Sequence, residues 1–148
     1  VDKKAIRAWI WYDWANSAFA VTIIAAVMPI FFSDVAASTL DKTTATAYWG
    51  YTESIALLFL VLLSPILGSI ADRVGNKKRF LRLFTYIGIT SSLLMATIDT
   101  GEWIWASILV VIGTLAFTTS TIFYDAFLPE IAPENKRDIV SSRGYAYG

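Results

Sequence analysis

Gly68-Ser69-Ile70-Ala71-Asp72-Arg73-Val74-Gly75-Asn76-Lys77-Lys78-Arg79 is a short turn in which two glycines, an Asp-Arg pair and a run of cations follow directly on an uncharged stretch. That stretch, Ser54 to Ala71, is long enough to cross a bilayer, whose hydrocarbon core of ~30 Å takes roughly 20 apolar helical residues. Working outward, Ala15 to Phe32, Leu83 to Ile98 and Trp103 to Tyr124 are also free of charge. The Leu83 stretch reaches the necessary length by adding Phe80 and Leu81 past an Arg82 that snorkels to the interface. Lipid offers no partner to backbone polar groups, so such stretches must be helical. The chain therefore reads as an all-α membrane protein with transmembrane helices over about residues 14–33, 50–71, 80–98 and 103–125.

Composition agrees. Hydrophobic residues make up 56% of the 148, aromatics 15%, and the mean hydropathy is +0.57, more apolar surface than one small soluble core could hide. Twelve Lys and Arg offset twelve Asp and Glu, but their placement is uneven. Lys3, Lys4 and Arg7 precede the first span, Arg73 to Arg82 surround the second connection, and Lys136, Arg137 and Arg143 follow the fourth span, leaving only Lys42 on the opposite side. The positive-inside bias places both termini and the Asp72 to Arg79 turn in the cytoplasm, with Asp34 to Tyr48 and Asp99 to Glu102 outside. Trp9, Trp11, Tyr12 and Trp14 mark the inner boundary, and Tyr48, Trp49, Tyr51, Trp103 and Trp105 the outer one, where amphipathic rings prefer the headgroup zone.

Several function classes drop out. An isoelectric point near 6.4 and the lack of a contiguous basic face argue against nucleic acid. With no Cys and no His, thiol nucleophiles, disulfides, histidine bases and the usual zinc and haem ligands are excluded, so neither an enzyme nor a metal or cofactor is expected. The first span ends in Pro29-Ile30-Phe31-Phe32 rather than small residues, which reads as a retained helix and not a cleaved signal. Gly68, Gly88 and Gly113 are expected to let helices approach closely, and Gly75 to permit a tight reversal.

A carboxylate at mid-bilayer costs ~2.5 to 3.5 kcal/mol on insertion scales, so intramembrane polar groups turn toward a cavity or a partner. Asp13, Asn16, Ser17 and Ala20 share one helical face, and Thr114, Thr118, Thr121 and Asp125 form a second stripe. Because the first span runs outward and the fourth inward, both stripes end at the same inner depth. Asp13, Asn16, Ser17, Thr118 and Thr121 are thus candidates to line a solute or ion pathway, with Glu53 the matching outer candidate. A threonine in such a helix also commonly bonds back to its own backbone, and packing competes with binding for that stripe. Asp72, at a helix C-terminal end, should answer another helix's N-terminus or a nearby Arg.

The loop pattern resembles the signature loop between the second and third helices of the major facilitator superfamily. Trp11-Tyr12-Asp13-Trp14-Ala15-Asn16-Ser17-Ala18-Phe19, Phe127-Leu128-Pro129-Glu130-Ile131 and Val140-Ser141-Ser142-Arg143-Gly144-Tyr145-Ala146 narrow the resemblance to the vacuole effluxer family. It implies the first four transmembrane helices of a major-facilitator-type six-helix half, with a fifth segment starting over about residues 139–148. The chain, which begins at Val1, then reads as a partial amino-terminal transporter half whose remainder is a missing partner. Such proteins are two-half carriers that rock about a central site. The implied function is secondary active transport of a small solute, amino acids among the candidates, by alternating access in a bacterial plasma membrane. Gly68, Asp72, Arg73, Gly75, Lys77, Lys78, Arg79 and Asp125 form the implied gating loop, and protons are the candidate coupling ion. This chain has Asn76 where the family loop often carries a cation, so a loop partner for Asp125 falls to Lys77, Lys78 or Arg79. The competing reading is a non-transporting multi-span adaptor or assembly protein, which a stop codon near Gly148 would favour over further downstream spans.

Overall fold

A computed structural model describes residues 3–73 and 75–147; Val1, Val74 of the basic turn and Gly148 of the fifth segment lie outside the described residues. Every regular element among those residues is helical. Helix α1 is a continuous rod over Lys3–Ala36, α2 spans Lys42–Arg73, α3 Lys77–Met95 and α4 Trp103–Asp125. A single turn, α5 (Leu128–Ile131), and a 3-10 turn lead into α6, Arg137–Tyr147.

Two apolar clusters set the arrangement. One joins Phe32, Ala45, Met95, Ala106 and Leu109; the other joins Trp9, Tyr124, Ala132 and Val140, with Leu81 packed against it. Each of α1, α3 and α4 contributes opposite ends to the two clusters, so α1 and α3 run one way and α4 the other. Helix α4 is the central element and packs on both α2 and α3. Small residues allow this: the position a Cβ would take on Gly88 lies 3.7 Å from Ala116 Cβ, and on Gly113 it lies 3.0 Å from the Phe19 ring. Hydroxyls add specific bonds, Ser91 Oγ donating to Leu109 O at 2.7 Å and Thr52 Oγ1 to Ser107 Oγ at 2.8 Å.

Three helices, Lys3–Ala36, Lys42–Arg73 and Trp103–Ile131 (α4 carried on through α5), are long and apolar enough to cross a membrane. The stretch expected to span residues 80–98 differs. Helix α3 ends at Met95, where Ala96 N–H turns back to Leu93 O and the Thr97 hydroxyl bonds Leu94 O at 2.7 Å. Its first turns carry Lys77, Lys78, Arg79 and Arg82, leaving charge-free helix only over residues 83–95, about 20 Å at 1.5 Å per residue.

Helix α1 is also longer than its apolar stretch and contains wide π-helical turns over Phe19–Val27 and Phe32–Ala36. Met28 N–H reaches Ile23 O, five residues back, immediately before Pro29, which has no N–H to give and whose ring would crowd the carbonyl four residues earlier. Asp41 caps α2, accepting from Thr44 Oγ1 at 2.7 Å and Thr44 N–H at 2.9 Å. Those bonds hold its carboxyl below the usual carboxylate range. Gly101 has φ +87°, where a Cβ would also stand 3.1 Å from Thr39 Cγ2, so the α3–α4 turn seats on the α1–α2 turn only with glycine there. One expectation about glycine is corrected: Gly68 faces open space, with nothing within 4 Å of an added Cβ among the described residues, so it does not let two of these helices approach.

Candidate functional site

At the end of the bundle opposite Gly101, three aromatic rings from α1 and α4 are stacked. Trp9 lies on Tyr124 with ring centroids 4.4 Å apart and planes 9° from parallel, while Tyr12 lies on Tyr124 at 5.2 Å and 24°. Trp9 Nε1 donates to Tyr124 O at 3.1 Å, and the Tyr12 hydroxyl is bonded to Thr85 Oγ1 of α3 at 2.9 Å. A β-carbon on Gly144 would collide with the Trp9 ring, so α6 closes on α1 only because residue 144 lacks one. The rings wall a cavity of about 780 Å³ whose lining includes Lys78, Glu130 and Ile131.

The basic turn docks beside this cavity. Lys77 Nζ is 2.8 Å from Glu130 Oε1 and donates to Ala126 O at 3.0 Å. It therefore neutralises a carboxylate on α5 and caps the C-terminal end of α4, where the helix dipole favours a cation. Only 12% of the Lys77 side chain is exposed against 53% of Glu130's, so the pair is only partly screened by solvent. Arg137 clamps the same connection from behind, its Nε donating to Ala132 O at 3.3 Å.

The two polar stripes meet. Asn16 Nδ2 donates to Thr121 Oγ1 at 3.3 Å, and Thr121 Oγ1 also donates to Phe117 O in its own helix at 3.0 Å. Asn16 lines a second cavity of about 350 Å³ between α1, α3 and α4, together with Tyr12, Thr85, Ser92, Phe117 and Ser120. Asp13 is half-buried and Asp125 exposed, within electrostatic reach of one another. Ser17 and Thr118 are half-buried on the same two helices, whereas Glu53 stands apart on α2 with Oε1 enclosed and without a hydrogen bond among the described residues.

The loop residues assort differently from expectation. Asp125 takes its hydrogen bond from the Tyr145 hydroxyl of α6, at 3.4 Å, and not from Lys77, Lys78 or Arg79. Lys77 is turned instead toward Glu130, which lies one turn beyond the end of α4 and sits within the Leu128–Ile131 turn that Pro129 starts. Asp72 is exposed at the end of α2 and makes no ion pair among the described residues, so neither a helix N-terminus nor an Arg answers it there. Arg73, Lys78 and Arg79 are exposed as well. Sequence reasoning placed Trp9 only among the rings of the inner boundary, and used Glu130, Gly144 and Tyr145 only as motif residues, with no site role for any of them. The available signal for Glu130 was that it is the first acid beyond Asp125, in a connection expected on the same cytoplasmic side as the basic turn. No group of three or more Asp or Glu among the described residues is placed to hold a metal ion.

Helices of this length and apolarity, closed at one end by a docked basic turn, define a multi-pass helical membrane protein. The family model described as vacuole effluxer Atg22 like matches residues 39–145, and the chain belongs to that family. It is similar to the uncharacterized MFS-type transporter YxiO of Bacillus subtilis, 38% identical over 146 residues, which are 98% of this chain and 34% of that protein. Autophagy-related protein 22 of Cryptococcus neoformans is 25% identical across 88% of this chain and 29% of its own length. Autophagy-related protein 22-2 of Aspergillus fumigatus is 35% identical over 53% of this chain and 13% of its own. The chain thus spans about a third or less of these relatives. No solved structure matches it.

Proposed function

We propose that this chain forms the inner-gate portion of the amino half of a secondary active transporter that moves a small solute by alternating access. Helices α1 to α4 are its first four spans, α3 crossing with its cationic first turns in the headgroup zone. Helix α6 begins the fifth, and both ends of the segment lie in the cytoplasm of a bacterial cell. The observation that carries the reading is the docking of the basic turn on the end of α4 through Lys77, Glu130 and the Ala126 carbonyl. A cation locked to a helix end ties α3 to α4 and α5, so the inner ends of these helices move together. Asp72 and Arg73, exposed beside that lock, are free to engage the half of the transporter that this segment does not include. The latch forms when the cytoplasmic side closes and breaks when it opens.

Asp13, Asn16, Ser17, Thr118 and Thr121 line the solute path at the α1–α4 seam, and Glu53 serves its outer part. Charge gained or lost at Asp13 or Asp125, which sense one another, biases the inner state, with protons as the coupling ion. The resemblance noted from sequence makes amino acids the candidate solute. Full-length protein in proteoliposomes, given an amino-acid panel with and without a proton gradient, tests this. One stimulated solute is expected, and Asp72→Ala should slow its flux without preventing insertion. Unchanged flux in Asp72→Ala would remove the latch, and no stimulated solute would remove the amino-acid assignment.

A further inference from the structure

The Tyr124 side chain is 1% exposed, and its enclosed hydroxyl has no hydrogen-bond partner among the described residues. The walls of that enclosure are these helices themselves, so no other segment of a longer protein reaches the hydroxyl while this packing holds. A buried donor without an acceptor is costly, and its partner has to come from a group already beside it. We propose that this partner is the Asp13 carboxylate: the Tyr124 hydroxyl closes on it when it is ionised, and the bond is open in the arrangement seen here. Tyr124 is then a positioning residue that ties the charge on Asp13 to the packing of α1 against α4. The inference rests on the reading of Asp13 as a proton-carrying group and is independent of the solute.

The α1–α4 seam is pinned on both sides of Asp13. One turn before it, Trp9 Nε1 donates to Tyr124 O at 3.1 Å, and one turn after it, Asn16 Nδ2 donates to Thr121 Oγ1 at 3.3 Å. Trp9, Asp13 and Asn16 share one face of α1 by their four and three spacing, so Asp13 stands on the stripe that meets α4. Helix α4 runs antiparallel to α1 and its side chains lean toward its own N-terminal end. The Tyr124 ring, stacked on Trp9 at 4.4 Å, is thereby carried toward the level of Asp13. Of the charged groups that act on the Tyr124 hydroxyl, Asp13 acts most strongly, ahead of Asp125, which is adjacent in sequence. Tyr145 of α6 and Tyr12 of α1 are the other titratable groups acting there. Asp125 already accepts from the Tyr145 hydroxyl at 3.4 Å, and Lys78 and Glu130 line the cavity that the Tyr124 ring walls. An ionised carboxylate only accepts, and a phenol donating to it makes a bond roughly twice as strong as a neutral one. A protonated Asp13 offers less, which leaves the hydroxyl idle as it is here.

Thermal melts of the full-length protein across a pH series, on wild type, Tyr124→Phe, Asp13→Asn and the double variant, test it. Loss of the hydroxyl should cost nothing where Asp13 is protonated, and should lower the melting temperature by about 2–4 °C once that carboxyl is ionised. In the Asp13→Asn background the effect of Tyr124→Phe should no longer vary with pH, while in Asp125→Asn it should vary as in the wild type. An effect of Tyr124→Phe that is flat with pH, as packing alone would give, overturns the proposal. So does a pH dependence that disappears in Asp125→Asn and survives in Asp13→Asn. Should Asp13→Asn not fold, the pH series on Tyr124→Phe, alone and combined with Asp125→Asn, decides it. The melts need no solute, so a failure of flux would remove the transport reading and leave this bond standing, whereas a flat series would remove the bond and leave the flux test intact.

Discussion

Gly144 and Trp9 are separated by most of the chain, yet their contact fixes how closely α6 lies on α1. Because the ring is held on its other face by Tyr124 and by the indole bond to a carbonyl, it cannot step aside cheaply when a methyl is added. Gly144→Ala should therefore destabilise the folded protein by about 1–3 kcal/mol through overpacking. Trp9→Ala should remove that penalty, so the double variant will be far from additive in thermal melts; additivity would mean that the contact is not what strains the variant. Lys77 offers a second residue-scale test. Lys77→Ala removes a charged hydrogen bond and an ion pair and leaves Ala126 O unpaired, a loss of about 1–3 kcal/mol. Glu130→Gln should cost less, since the carbonyl cap survives, and the coupling in a double-mutant cycle measures the ion pair alone.

At the scale of the element, α1 and α3 both depart from their sequence-based boundaries for reasons of backbone chemistry. The uncharged stretch in α1 marks where lipid can be tolerated, but a helix needs only paired backbone groups and continues from Lys3 to Ala36 across charged and polar ends. The π-helical turns before Pro29 were not legible, because periodicity reports which face is apolar and is silent about a shift in hydrogen-bond register. Pro29→Ala restores a donor, and spin labels at Val21 and Phe32 should then show the rod redrawn toward ordinary α-helical spacing; an unchanged distance would show that Pro29 is not the cause. Asp41 gives α2 a pH-sensitive start. Its carboxyl is below the usual range in the folded state, so the cap is intact above the ordinary Asp pKa of ~3.9 and is lost as pH falls through the lower folded value. Amides over residues 43–45 should exchange faster in Asp41→Ala at neutral pH, with no further acid effect.

Across the whole molecule, local information and long-range pairing separate cleanly. Three long apolar helices were readable because absence of charge is a local property, and Trp103–Asp125 appears as a helix over the stretch so read, whereas the stretch expected over 80–98 was not, since its helix stops at Met95. The family was readable from the basic turn and from the Trp11 to Phe19, Phe127 to Ile131 and Val140 to Ala146 motifs, and the family model matches residues 39–145. The meeting of the Asn16 and Thr121 stripes follows from helix direction and helical periodicity together. The partners of Lys77, Asp125 and Trp9 do not, because one sequence shows which charges are available at one membrane face and not which of them touch.

The central claim is that lipid surrounds these helices with the Lys77 turn on the cytoplasmic side. Single cysteines placed in the full-length protein with any other cysteine replaced, as Asn76→Cys and Ser38→Cys, report it by labelling with a membrane-impermeant maleimide in intact cells. Ser38→Cys should label at once and Asn76→Cys only after the cells are permeabilised; labelling of Asn76→Cys in intact cells, with Ser38→Cys protected, would contradict the account.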